Sequence, residues 1–241
     1  MTSASKSGLR AVVTGGTSGI GRAIVQRLAA DGARVISVGR RAEGPSNDGV
    51  IRFSADVREP EDVRALGDAV ARHFDALDLL VCCAGIQRTH AIAEGMDLEE
   101  VESEVAVNLL GPVRVTAALL PLLLRSERAT VVNVTSVLAL QPKSRAPLYG
   151  ATKAALASWT RALRHQLEPH GVRVVELMPP LVATPMTAGR DEGALPPEAV
   201  ADALLTGLRT ERDVIAVGRA RLARALQRFV PGRLAAALRD S

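Results

Sequence analysis

Tyr149 and Lys153 stand four residues apart at the head of the run Leu148-Tyr149-Gly150-Ala151-Thr152-Lys153. On a helix that spacing puts a phenol and an ammonium one turn apart on the same face. Ionising a phenol of pKa about 10 at neutral pH costs roughly 4 kcal/mol. A cation about 4 Å away, at an effective dielectric near 20, returns a similar amount. A tyrosine so placed donates a proton readily and takes one back at moderate cost, which is acid/base chemistry. The same spacing also suits a half-buried packing tyrosine beside a solvated lysine, so the pair needs a site around it.

Other reactive side chains offer less. His73, His90, His165 and His170 share no ligand or triad spacing and read as surface or packing residues. Cys82 and Cys83 are adjacent in an apolar run, which suits neither metal chelation nor a disulfide framework and points to a reducing cytoplasm. Asn108 lies in an otherwise apolar stretch. A buried asparagine needs partners, so it either distorts a helix or belongs to a polar site.

The surrounding pattern alternates strand and helix. Residues 9–14 are a short apolar run, Gly15-Gly16-Thr17-Ser18-Gly19-Ile20-Gly21 follows, and helical periodicity covers residues 22–30. Gly15, Gly19 and Gly21 let the backbone approach an anion, and the helix N-terminus offers N–H groups to a pyrophosphate; the same glycines also suit a tight turn needed for geometry alone. A second strand over 34–38 ends in Gly39-Arg40-Arg41. In a dinucleotide-binding unit a carboxylate at this point meets the ribose 2′-hydroxyl, whereas arginine suits a 2′-phosphate. Arg40, with Arg41 second, therefore favours NADP(H) over NAD(H).

Residues 50–54 form the third strand, closed by Asp56-Val57, and the stretch before it is too short and broken for a crossover helix, so a loop or single turn is expected. Residues 60–74 read as a helix, 79–83 as a fourth strand ending in Ala84-Gly85, and 98–124 as a long helical stretch kinked at Gly111-Pro112. Strands over 130–135, 173–178 and 213–217 complete the series. The alternation implies a doubly wound parallel sheet with ligands at the C-terminal strand ends, where Gly15, Asp56, Ala84, Ser136 and Pro179 fall.

Composition narrows the partners. With 241 residues, 47% hydrophobic and 23% charged, the chain suits one large domain. Aromatics at 2% leave no stacking platform for single-stranded nucleic acid, and the +4 charge is interspersed with acids, so no nucleic-acid partner is expected. Residues 1–8 lack an apolar h-region and the leucine run 118–124 is short and carries Pro121, so no membrane span is expected.

Thr14 to Gly21, Asp56-Val57, Asn108, and Ser136 thirteen residues before the Tyr149-x-x-x-Lys153 pair together resemble the classical short-chain dehydrogenase/reductase family. The resemblance covers residues 9–186. It implies a single Rossmann-type α/β domain over 1–241, a doubly wound seven-stranded parallel sheet flanked by helices on both faces, and hydride transfer between a nicotinamide and a carbonyl or alcohol. It further implies that Tyr149 is the general acid in reduction and the base in oxidation, that Ser136 bonds the substrate oxygen, that Lys153 lowers the tyrosine pKa and holds the nicotinamide ribose, that Asn108 organises a proton-relay water, and that Asp56 meets the adenine.

Some positions depart from the family pattern. Cys82-Cys83-Ala84-Gly85 replaces Asn-Asn-Ala-Gly, Pro179-Pro180 replaces Pro-Gly, and Ser18 stands where many NADP-dependent members carry a basic residue. Val182 and Thr184 follow as nicotinamide-side contacts. Leu138, Leu148, Leu181 and Met186 are expected to line an apolar substrate pocket, with Gln87 and Gln141 as polar contacts, under a lid over 187–194 hinged at Gly189 and Gly193. The family's Val-Asp-Gly-Gly ending is absent. A basic helical tail over 219–241, with Leu222, Leu226 and Phe229 on one face, is expected to dock on the body, interfacial membrane association being the alternative. The expectation is a cytoplasmic, homodimeric NADP(H)-dependent reductase of a small-molecule ketone or aldehyde, paired through the Asn108 and Tyr149 helices. Its rivals are a non-catalytic NADP-binding regulator and a redox-neutral dehydratase or epimerase.

Overall fold

Seven apolar runs become seven strands that lie side by side, all parallel, in the order β3-β2-β1-β4-β5-β6-β7. The structure is a computed structural model that describes residues 8–41, 49–232 and 238. In chain order the elements are β1 Arg10–Thr14, α1 Gly19–Ala30, β2 Arg34–Gly39, β3 Val50–Ser54, α2 Pro60–His73, β4 Leu79–Cys82, α3 Leu98–Val105, α4 Gly111–Leu123, β5 Thr130–Val134, α5 Pro147–Leu167, β6 Arg173–Met178, α6 Pro197–Arg209, β7 Val214–Ala216 and α7 Ala220–Phe229. This is a doubly wound Rossmann-type α/β domain. The expected loop between β2 and β3 falls mostly on residues 42–48, outside the described residues.

Successive residues of a strand face opposite sides, so each strand feeds two cores. Val12, Ile36, Leu80 and Val131 meet Leu66 of α2, Leu119 of α4 and Leu163 of α5. Val13, Val35, Val81 and Leu177 meet Ile24 and Leu28 of α1 and Leu204 of α6. Burying each such side chain contributes about 1.5–3 kcal/mol. Strand order reverses between β1 and β4, and a crevice opens at their C-terminal ends. The other end of that strand pair is fastened by Asp78, whose carboxylate accepts from the Arg10 backbone N–H (2.9 Å), Arg10 Nε (3.0 Å) and Nη2 (2.8 Å), and Ser126 Oγ (2.7 Å). Burial alone raises this carboxyl, but those bonds outweigh it and hold the pKa at about 2.

The long helical stretch is distorted one turn earlier than expected. Between α3 and α4, residues Ala106–Leu110 form a π-helical turn. Pro112 lacks the N–H that would bond the Asn108 carbonyl, which loosens the α pattern there. Gly111 is needed because a Cβ would come within 2.8 Å of Val57 Cγ2. Leu98–Leu123 is, against the sequence expectation, 26 residues long and apolar enough to cross a membrane by length and composition. Here its Val115, Leu119 and Leu123 are buried in the core under the sheet.

The C-terminal helix also docks differently. Its buried residues are Ala220 and Ala223, while Leu222 and Phe229 face outward and Leu226 is half-buried. Small alanines let α7 approach Met178, Ala216, Val137 and Leu140 closely, which the larger residues of the expected face would prevent.

Candidate active site

The glycine turn after β1 has its shape forced by its neighbours. Gly15 and Gly19 have φ of 68° and 49°, where side chains are rarely tolerated. A Cβ on Gly15 would lie 2.9 Å from the Ala84 backbone, and one on Gly21 would overlap the Gly15 carbonyl oxygen. Thr14 Oγ1 accepts from the backbone N–H groups of Cys83 (3.1 Å) and Ala84 (3.2 Å), locking the exits of β1 and β4 together. Ser18 precedes α1 without capping it through its side chain, so first-turn N–H groups remain available to an anion.

A channel of about 130 Å³ runs over this turn. Of the residues expected at the cofactor it is lined by Gly15, Ser18, Gly19, Ile20, Gly21, Ala84, Gly85, Tyr149, Lys153, Pro179 and Thr184, joined by Cys83, Val134 and Met186. Thr184 closes on Gly19, where a Cβ would meet its Cγ2 at 3.0 Å. Thr17 lies outside the channel, with its side chain over Gly39 at the end of β2. Arg40 and Arg41 are exposed beside it. Val57, expected at the cofactor, has its side chain in the core. Asp56, expected at an adenine, spends its carboxylate on Arg58, whose Nη2 donates at 2.7 Å. Burial raises this carboxyl, but Arg58 and the nearby Arg40 charge outweigh it and hold it below its usual range. Val182 lines the substrate cleft instead of the channel.

The reactive pair sits at the inner end. Ser136 follows β5, accepts the Leu138 N–H on Oγ at 3.1 Å and lines the same cleft as Tyr149. Lys153 Nζ donates to the Val134 carbonyl at 2.8 Å and lies 5.7 Å from the Tyr149 ring centroid. Burial pushes Tyr149 up to about 12, with the Ser136 hydroxyl opposing, and pushes Lys153 down to about 8. The expected lowering of the tyrosine is thus not what the geometry produces: burial of the phenolate outweighs the opposing Ser136 hydroxyl, and Cys83 and Glu104 add to the rise. The buried thiols of Cys82 and Cys83 are likewise pushed up, to about 12 and 11, and stay neutral.

Asn108 sits in the π-turn, fully buried. Its Oδ1 accepts from the Ile86 N–H at 2.9 Å and its Nδ2 donates to the Ile86 carbonyl at 2.8 Å and to Thr152 Oγ1 at 3.2 Å. With the side chain so committed, Asn108 positions the loop after β4 rather than presenting an amide to water. Thr152, which sequence reasoning missed, passes this order on by donating to the Tyr149 carbonyl at 2.8 Å. His90 is a packing residue with a buried partner, Glu104 Oε2 at 3.0 Å, that ties the same loop to α3.

A second cavity of about 390 Å³ opens from Ser136 and Tyr149. Gln87, Leu138, Leu181 and Met186 line it as expected. Gln141 does not: the chain turns away after Ala139, and Gln141 Nε2 donates to Gln227 of α7 at 3.2 Å. Leu148 is also outside, since a helical neighbour of the cleft-facing Tyr149 is rotated about 100° from it. Lys143, Arg145, Arg190 and Arg219 line the cleft and were not foreseen. They arise from separate loops, and no local sequence signal marks them. The lid over 187–194 has Gly189 and Gly193 at φ of 76° and 69°, and its base is held by Leu195 pairing with Leu181 and Ala183.

A glycine-lined channel at the switch point, meeting a Tyr–Ser–Lys cluster, defines a nicotinamide-dependent oxidoreductase. The chain belongs to the short-chain dehydrogenase family, whose model matches residues 9–194. An uncharacterized oxidoreductase of Staphylococcus epidermidis is 35% identical over 207 residues, covering 82% of this chain and 90% of that protein. A short-chain dehydrogenase from Burkholderia cenocepacia, solved in complex with NADP, superposes with a TM-score of 0.88 at 26% identity over 97% of this chain and 98% of that one. A 3-ketoacyl-(acyl-carrier-protein) reductase from Brucella melitensis, solved with NADH, gives 0.79 at 30% identity over 85% and 92%.

Proposed function

We propose that the protein is an NADP(H)-dependent reductase of ketones or aldehydes, running in reverse as a secondary-alcohol dehydrogenase. The observation that carries this is Tyr149, which lines both the cofactor channel and the substrate cleft, with Ser136 lining the cleft beside it. A nicotinamide held in the channel by Gly15, Gly19, Lys153 and Thr184 would supply hydride chemistry toward the carbonyl carbon. Two hydroxyls, Tyr149 and Ser136, converge on the carbonyl oxygen and stabilise the charge that develops there. Tyr149 then gives its proton to that oxygen, so the C=O bond becomes CH–OH. A phenol held near pKa 12 is fully protonated at neutral pH and always ready to donate. Lys153, an ammonium below about pH 8, would neutralise the phenolate left behind and help hold the ribose of a bound cofactor. Asn108 holds Ile86 and, through Thr152, the Tyr149 helix in register.

Arg40, with Arg41 beside it and no carboxylate at the end of β2, supports NADP(H) through the 2′-phosphate. The NADP-bound relative agrees; the NADH-bound one shows that both cofactors fit this fold. We further propose a cytoplasmic homodimer through α4 and α5, supported by exposed Leu110 and Leu124 flanking α4, which sedimentation velocity tests. Oxidation of NADPH and NADH against a panel of ketones and aldehydes, with Tyr149→Phe alongside, tests the activity. Tyrosine-dependent turnover preferring NADPH is expected; turnover surviving Tyr149→Phe would overturn the mechanism.

A further inference from the structure

Several arginines at the surface of this molecule sit beside carboxylates: Arg10 with Asp78, Arg27 with Asp31 and Asp202, Arg58 with Asp56, Arg64 with Glu61, Arg88 with Glu100. The substrate cleft gathers cations without such partners. Lys143 and Arg145 from the loop before α5, Arg190 from the lid and Arg219 from the turn before α7 all line it, with no Asp or Glu in its lining among the described residues. Among the described residues none of these cations forms an ion pair. Lys143 feels its neighbours, since burial first and then Arg145 and Arg190 lower its pKa. Gathering like charges in a half-enclosed cleft costs free energy unless an anion joins them. The walls between these cations and Tyr149 are apolar, formed by Leu138, Leu181 and Met186.

Resting on the reductase reading, we propose that the substrate is an anion: a ketone or aldehyde whose apolar body lies on Leu138, Leu181 and Met186 and whose carboxylate or phosphate is held by Lys143, Arg145 and Arg190, with Arg219 at the rim. The carbonyl reaches Ser136 and Tyr149 while the charged end stays among the cations. Charge-assisted bonds of this kind discriminate strongly against a neutral analogue.

The test compares matched probes: 9-oxodecanoate, its methyl ester, and an oxoalkyl phosphate of the same length, each with NADPH. The acid or the phosphate is expected to exceed the ester in kcat/KM by at least about tenfold, and the better of the two names the anion. Raising sodium chloride lowers that ratio. In the Lys143→Ala/Arg190→Ala variant the ratio collapses toward one through KM, and Lys143→Arg restores it. Equal use of charged and neutral probes by the wild type would overturn the proposal while leaving the reductase standing. If no probe turns over, the reductase reading falls, and calorimetry of decanoate and decyl phosphate still decides this one. Binding that the double variant loses upholds the anion site, and no binding to the wild type ends it.

Discussion

Asn108 grips Ile86 from both sides of one peptide position, accepting its N–H at 2.9 Å and donating to its carbonyl at 2.8 Å. The π-turn between α3 and α4 aims that amide, and Thr152 relays it to the Tyr149 helix. A loop beside the cofactor channel and the catalytic helix therefore move together or not at all.

Asn108→Ala removes the clamp and leaves the half-buried N–H and carbonyl of Ile86 without it. The expected cost is about 1–3 kcal/mol, or a fall in Tm of several degrees for a chain this long, together with weaker NADPH binding. Differential scanning calorimetry and fluorescence titration measure the two. An unchanged Tm would show that Ile86 finds other partners.

Turnover in the reducing direction should be flat from about pH 6 to 7, fall by half near pH 8 and continue down above it. Lys153 has its pKa depressed to about 8, so its ammonium is complete well below that value and lost above it, whereas Tyr149, raised to about 12, keeps its proton throughout. A kcat/KM profile of the wild type locates the limb. Tyr149→Phe should cut kcat by roughly 10²–10⁴-fold with NADPH binding retained.

Glycines in this chain are not equivalent. Gly21→Ala drives a Cβ into the Gly15 carbonyl oxygen, backbone that cannot yield, so the cofactor turn should be lost and stability should drop by roughly 1–3 kcal/mol. Gly67→Ala on α2 meets nothing nearer than the Ala118 carbonyl at 3.6 Å and should stabilise by roughly 0.5–1 kcal/mol through helix propensity. Urea denaturation of both variants checks the opposite signs.

Asp78→Asn should cost about 2 kcal/mol at neutral pH. The folded carboxyl titrates near 2 against an ordinary 3.8, so its contribution is complete above pH 4 and disappears as the pH falls toward 2. Denaturation of wild type and variant should differ at pH 7 and converge at pH 2. A constant gap would assign the loss to packing instead of charge.

What the sequence made legible was local. Tyr149 and Lys153 declare themselves by helical spacing, and the parallel strands by unbroken apolar runs such as Leu79–Cys82, because neighbours along the chain decide both. The Gly111-Pro112 pair announced a disturbance in the long helix but not its form, since a π-turn depends on what Asn108 finds across the fold. Gln141 was misplaced for the same reason, since which way the chain turns after Ser136 involves α7, nearly ninety residues later; Leu148 was misplaced although helical rotation from Tyr149 already turns it away. The cleft cations carry no pattern at all until three loops meet.

The Gly15–Ala84 contact, backbone against backbone and latched by Thr14, leaves the nucleotide half of the crevice almost no freedom to vary. The opposite half is assembled from the loop before α5, the lid and the turn before α7, none of which supports the sheet. The molecule is in that sense modular: its selectivity can be rewritten by exchanging three surface segments, as grafts, while the cofactor cradle is inherited unchanged.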